Sequence, residues 1–79
     1  MKDMCVEYSD LYFDIGVIYL QIGDNSKSEQ SLAEAFRVYR AILPEDVLRD
    51  KCEIALNYFK SARVTTIPDY LSLDFYTKT

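Results

Sequence analysis

Asp10 and Asp14 stand four residues apart, one helical turn, and are the nearest approach in this chain to a paired-carboxylate acid–base set. Nothing around them completes such a site. The chain has no histidine, so the commonest general base and both the Cys-His and Ser-His nucleophile pairs are missing. Cys5 and Cys52 lie far apart in sequence and, without histidine, give no zinc-ligand spacing. Gly16 and Gly23 are the only glycines, too few for a phosphate-cradling loop. We therefore read Asp10 and Asp14 as a solvated face and expect no catalytic residues, no metal and no cofactor.

The 79 residues suit one domain, and a core of that size gives roughly 3–5 kcal/mol of net stability. Yet 49% of the residues are hydrophobic, with seven Tyr and four Phe. That is more apolar material than three helices readily hide, and it points to self-association or a partner. Two cysteines are fewer than small disulfide-built domains carry, so free thiols in a reducing, cytoplasmic setting are expected. The N-terminus has acids where a secretory leader has bases, and Val17–Ile22 is too short an apolar run for a membrane span. The net charge of −4 is uneven. Residues 1–24 hold Asp3, Glu7, Asp10, Asp14 and Asp24 against Lys2, while residues 25–63 are close to neutral. With no basic stripe, direct nucleic-acid binding is not expected.

Three helices position these residues. The first, over 4–22, places Leu11, Ile15, Ile18 and Ile22 at helical spacing, and Tyr8, Tyr12 and Tyr19 likewise. Its polar residues, Asp3, Glu7, Asp10, Asp14 and Gln21, share one narrow line. A helix so apolar elsewhere is normally buried on more than one side. Gly23 ends it, and Ser26-Lys27-Ser28-Glu29 reads as a capping box for a second helix over 27–43. Leu32, Ala35, Phe36, Tyr39, Ile42 and Leu43 form that helix's stripe. Pro44, Glu45 and Asp46 suit the first turn of a third helix over 45–62. There Leu48, Cys52, Ala55, Phe59 and Ala62 make one stripe, and Val47, Ile54 and Tyr58 another. The arm over 64–79 reads as a short helix or an irregular segment lying on the bundle.

The first hairpin resembles a tetratricopeptide repeat. Tyr12, Ile15-Gly16 and Tyr19 stand at the spacing of that family's aromatic, Leu-Gly and Tyr positions, with Gly23-Asp24 at the turn and Leu32 and Ala35 in the second helix. In that pattern Gly16 lets the second helix approach closely. The match covers about 9–44. It departs at Ser28, where the family has Ala, at the late Pro44, and at Lys51-Cys52, where a second repeat would have its aliphatic-Gly pair.

The expected fold is an all-α three-helix bundle with a tetratricopeptide-like hairpin and a short C-terminal arm, in one domain over 1–79. Once Tyr12, Ile15, Gly16 and Tyr19 are assigned to the hairpin, Phe13, Val17 and Leu20 form a second apolar face. The resemblance would place these three and Gln21 in a peptide-binding groove. Either another chain covers them, or the third helix and the arm do. Asp3, Glu7, Asp10 and Asp14 are then an acidic rim that docks a basic partner, or simply a wet face. The function expected is a non-enzymatic protein-binding module, of adaptor, chaperone or inhibitor type, holding a basic amphipathic partner segment. The alternative is a homo-oligomer that sequesters a small anionic ligand such as a nucleotide at subunit interfaces.

Overall fold

A computed structural model describes residues 5–71 as an all-α bundle of three helices, with no strand among the described residues. Helix α1 spans Val6–Gln21, α2 Asn25–Ile42 and α3 Glu45–Ser61, and a single 3-10 turn follows at Asp69–Leu71. Of the C-terminal arm, 72–79 lie outside the described residues, as do residues 1–4, Asp3 among them.

Each boundary has a local cause. Cys5 caps α1, its sulfur accepting from the Tyr8 N–H at 3.4 Å. At the other end Gly23 takes φ +90°, a left-handed conformation that favours glycine. This lets Gly23 N–H donate to Leu20 O and Asp24 N–H to Tyr19 O, satisfying two orphan carbonyls. Asp24 then opens α2 at once, its carboxylate accepting from the Lys27 N–H at 3.1 Å. The capping box expected at Ser26 gives way to Asp24, because the tight turn delivers that side chain to the helix start two residues earlier. Pro44, expected inside the first turn of α3, stands just before it with ψ 159°. Glu45 and Asp46 occupy that first turn, and Glu45 pairs with Arg49 one turn on.

The hairpin of α1 and α2 is packed unusually close at one point. A Cβ on Gly16 would stand 2.6 Å from Leu32 Cγ and 3.3 Å from Leu32 N, so only glycine permits this approach. Ser28 uses the gap, its hydroxyl donating to the Gly16 carbonyl at 2.7 Å. Helix α3 adds Leu48, Cys52, Ala55 and Phe59 to one core that also holds Phe13, Val17, Leu20, Leu32, Phe36 and Tyr39. Ala62, expected in that stripe, caps the helix and is exposed. Leu71 closes the core and is fully buried. Around it the Cys52 thiol donates to Tyr70 O, and the Tyr70 ring packs on Phe36.

Candidate functional site

The face expected to receive a partner lies inside the subunit. Phe13, Val17 and Leu20 are all buried, no more than 9% exposed. Phe13 packs against the rings of Phe36 and Tyr39, at 6.0 and 6.3 Å between centroids, and Leu20 borders a small cavity shared with Phe59. Of the two coverings left open by the sequence, the internal one holds: α3 and Leu71 complete the core over this face. As partner-facing residues these three are therefore corrected. Gln21 beside them is exposed.

The acidic line divides. Asp10 is a structural junction: it accepts the Tyr39 hydroxyl of α2 and meets Lys51 Nζ of α3 at 3.3 Å. Lys51 also sits over the Tyr39 ring, 5.3 Å from its centroid. Burial, together with the Asp10 carboxylate, drives the Tyr39 pKa well above its usual range. Glu7 and Asp14 remain exposed along the edge of α1.

A different face of α1 is open. Leu11, Ile18 and Ile22 are 58%, 57% and 70% exposed, and half-buried Ile15 lies between them on the same side. All four point away from the core that holds Gly16, Phe13 and Leu20. One edge of this seam carries Glu7 and Asp14. The other carries Tyr8, Tyr12 and Tyr19, backed by α2: Lys27 lies over the Tyr19 ring, and the Tyr8 hydroxyl donates to Glu34 at 2.8 Å. Glu34 is also gripped by Arg37 through two contacts, which with the Tyr8 bond lower its pKa to about 2. The Glu34 hydrogen bond in turn raises the Tyr8 pKa.

The seam's spacing was visible in the sequence, but not its orientation. With apolar residues almost all round α1, periodicity alone gave no reason to turn Phe13 inward rather than Ile18. The signal that could have chosen was Gly16, which marks the line touching α2 and so sends Leu11, Ile18 and Ile22 to the opposite side. Smaller apolar surface is also exposed on α3, at Val47, Ile54 and Tyr58. A groove of about 650 Å3 runs beside its C-terminal half, lined by Leu56, Lys60, Val64 and Ile67 among others.

Chemically, this surface offers apolar contact edged by carboxylates and phenols. The described residues hold no cluster of three or more His, Cys, Asp or Glu placed to bind a metal ion, and no helix among them is long and apolar enough to cross a membrane. A comparison of the chain with protein-family profiles, with curated proteins and with solved structures finds no match.

Proposed function

We propose that the chain is a non-enzymatic protein-interaction module that buries the outer face of α1 against another helix. The observation that carries this reading is the row of Leu11, Ile18 and Ile22 exposed, with half-buried Ile15 between them, along one side of a helix whose other side is already packed. Burying one such side chain is worth about 1.5–3 kcal/mol, so three of them rival the net stability of a domain this small. An apolar strip with Glu7 and Asp14 at its edge suits an amphipathic helix whose flanks are basic or hydrogen-bonding. This reading replaces the expected face of Phe13, Val17 and Leu20, which is buried, with the opposite side of the same helix, where Glu7 and Asp14 form the acidic edge.

The close Gly16–Leu32 crossing supports a tetratricopeptide-like hairpin, which on this reading is a scaffold presenting α1. Sequestration of an anionic ligand draws less support, since the seam is lined by Leu and Ile and edged by carboxylates. An adaptor, chaperone or inhibitor working in the cytoplasm fits two cysteines used as a helix cap and a core thiol.

The test compares two baits, the wild-type chain and Ile18→Lys, in pull-downs from the native cell quantified by mass spectrometry. A defined protein, or the chain itself, should be recovered by the first and lost with the second. Equal recovery by both baits would remove the outer face of α1 as the working surface.

A further inference from the structure

We infer that the outer face of α1 pairs with α1 of a second copy of this chain, the two helices running parallel about a two-fold axis. The inference rests on the interaction-module reading and names the partner.

Leu11, Ile15, Ile18 and Ile22 follow one another at steps of four, three and four residues, and Tyr8 precedes Leu11 by three. This is a heptad seam, in which Leu11 and Ile18 take the d positions and Tyr8, Ile15 and Ile22 the a positions. A helix that buries a broad face in its own bundle needs only the wider helical stripe, and here Gly16, Phe13, Val17 and Leu20 already supply it. The second, narrower seam has the geometry of helix-to-helix contact near parallel alignment.

The edges of the seam decide the partner and its direction. Glu7, Asp14 and Gln21 occupy the g positions on one edge, and Tyr12 and Tyr19 the e positions on the other. In a parallel pair, each g residue faces the e residue five positions further along the partner. Glu7 therefore meets the second copy's Tyr12, and Asp14 meets its Tyr19, over which Lys27 is already placed 5.7 Å from the ring. A carboxylate is thus offered a phenol hydroxyl, and in the second case a nearby ammonium. An antiparallel pair would instead set g against g, bringing the Glu7 and Asp14 edge of one copy against the same edge of the other. That edge carries Glu7 and Asp14 and no base, so the arrangement sets carboxylates against carboxylates and is repulsive. The face is complementary to itself in the parallel sense only. The seam is short, within a helix of 16 residues, so the dimer forms reversibly and dissociates on dilution.

The experiment uses the full chain. Sedimentation equilibrium over a range of concentrations should show a monomer–dimer equilibrium, and Ile18→Lys should be monomeric throughout with an unchanged far-ultraviolet circular dichroism spectrum. If Ile18→Lys loses helix, Ile22→Lys, at the most exposed seam position, takes its place. Direction is read from Ile18→Cys in a Cys5→Ser background. A parallel pair places the two Ile18 positions opposite each other, so mild oxidation should give a covalent dimer in high yield. A monomer at every concentration, or a dimer that both lysine variants leave intact, overturns the inference. A dimer lost with Ile18→Lys but not cross-linked through Ile18→Cys overturns the parallel arrangement. Should the chain prove monomeric while a lysine-rich amphipathic peptide binds wild type and not Ile18→Lys, self-pairing falls and the interaction-module reading stands.

Discussion

Helices α1 and α3 end in the same hydrogen-bonded turn, yet the segments leaving the two turns behave differently and set the two halves of the molecule apart. After α1, Gly23 N–H reaches Leu20 O and Asp24 N–H reaches Tyr19 O; after α3, Arg63 N–H reaches Lys60 O and Val64 N–H reaches Phe59 O. The first turn hands the chain straight to α2 through the Asp24 cap, and the hairpin closes on Gly16 with polar ties at Ser28–Gly16, Tyr8–Glu34 and Tyr39–Asp10. The second turn releases a stretch without regular secondary structure before Leu71 plugs the core. Helix α3 is held by a stripe of side chains, by Lys51 on Asp10 and by the Cys52 thiol on Tyr70 O. The hairpin is thus built from contacts near in sequence, which form at low loop-closure cost. The α3 half depends on a surface the hairpin must already present. That surface is the face of Phe13, Val17 and Leu20.

The largest expected effect lies at this junction. Phe13→Glu with Leu20→Lys puts two charges into the core shared by the two halves, and the penalty exceeds the few kcal/mol that a domain of this size has in hand. The double variant should lose its cooperative thermal transition and most of its helical signal. The contrast with Ile18→Lys on the same helix, which should stay folded, is the sharp form of the comparison. A double variant with native helicity and melting temperature would show that α3 does not close over this face.

Next in size is the hairpin's own contact. Gly16→Leu forces a side chain into the space held by Leu32 and displaces the Ser28 bond to the Gly16 carbonyl. Overpacking of this kind costs about 1–3 kcal/mol, and more where backbone must move. Gly16→Ala should cost less, because the Leu32 side chain can partly rotate away, and Leu32→Ala should recover part of the loss as a non-additive pair. Thermal melts of Gly16→Leu, Gly16→Ala, Leu32→Ala and the Gly16→Leu/Leu32→Ala double variant measure this. A higher melting temperature for Gly16→Leu, as expected from helix propensity alone, would mean the crossing is not close.

The sequence already held most of this frame. The helices begin and end within about two residues of where the caps and breakers put them, and Gly16, Gly23, Leu32 and the α3 stripe from Leu48 to Phe59, without Ala62, carry the roles their types suggested. What it could not decide was rotation. Leu11, Phe13, Ile15, Val17, Ile18 and Leu20 surround α1 so evenly that hydropathy has no single phase. Similar ambiguity moved the start of α2. Asp24 and Ser26 are both good capping residues, and only the left-handed turn at Gly23 settles which side chain reaches a free N–H. Asp10 read as one more solvated acid, because its partners Tyr39 and Lys51 are 29 and 41 residues away. Leu71 was hidden for a related reason: Leu71, Leu73 and Phe75 alternate as in a strand as well as fitting a short helix or irregular arm, and the burial of Leu71 depends on the gap α3 leaves.

The smallest predicted effect has the opposite sign and lies in the two turns themselves. Gly23 and Arg63 occupy equivalent places, each with positive φ, at +90° and 60°. For a residue with a Cβ, the left-handed conformation costs about 1–2 kcal/mol, and glycine escapes that cost. Arg63 is exposed and makes its turn through backbone bonds, so replacing its side chain sacrifices little packing. Against the relief of strain stands the greater freedom of glycine in the unfolded chain, about 0.5–1 kcal/mol. The balance favours Arg63→Gly by up to about 1 kcal/mol. The mirror experiment is Gly23→Ala, where an added Cβ meets no atom within 4 Å, so any loss belongs to the backbone alone. Melting temperatures of the pair should move in opposite directions, upward for Arg63→Gly and downward for Gly23→Ala. A fall in both would show that the Arg63 side chain contributes more than the left-handed backbone costs, and that the end of α3 is held by a contact the first turn lacks.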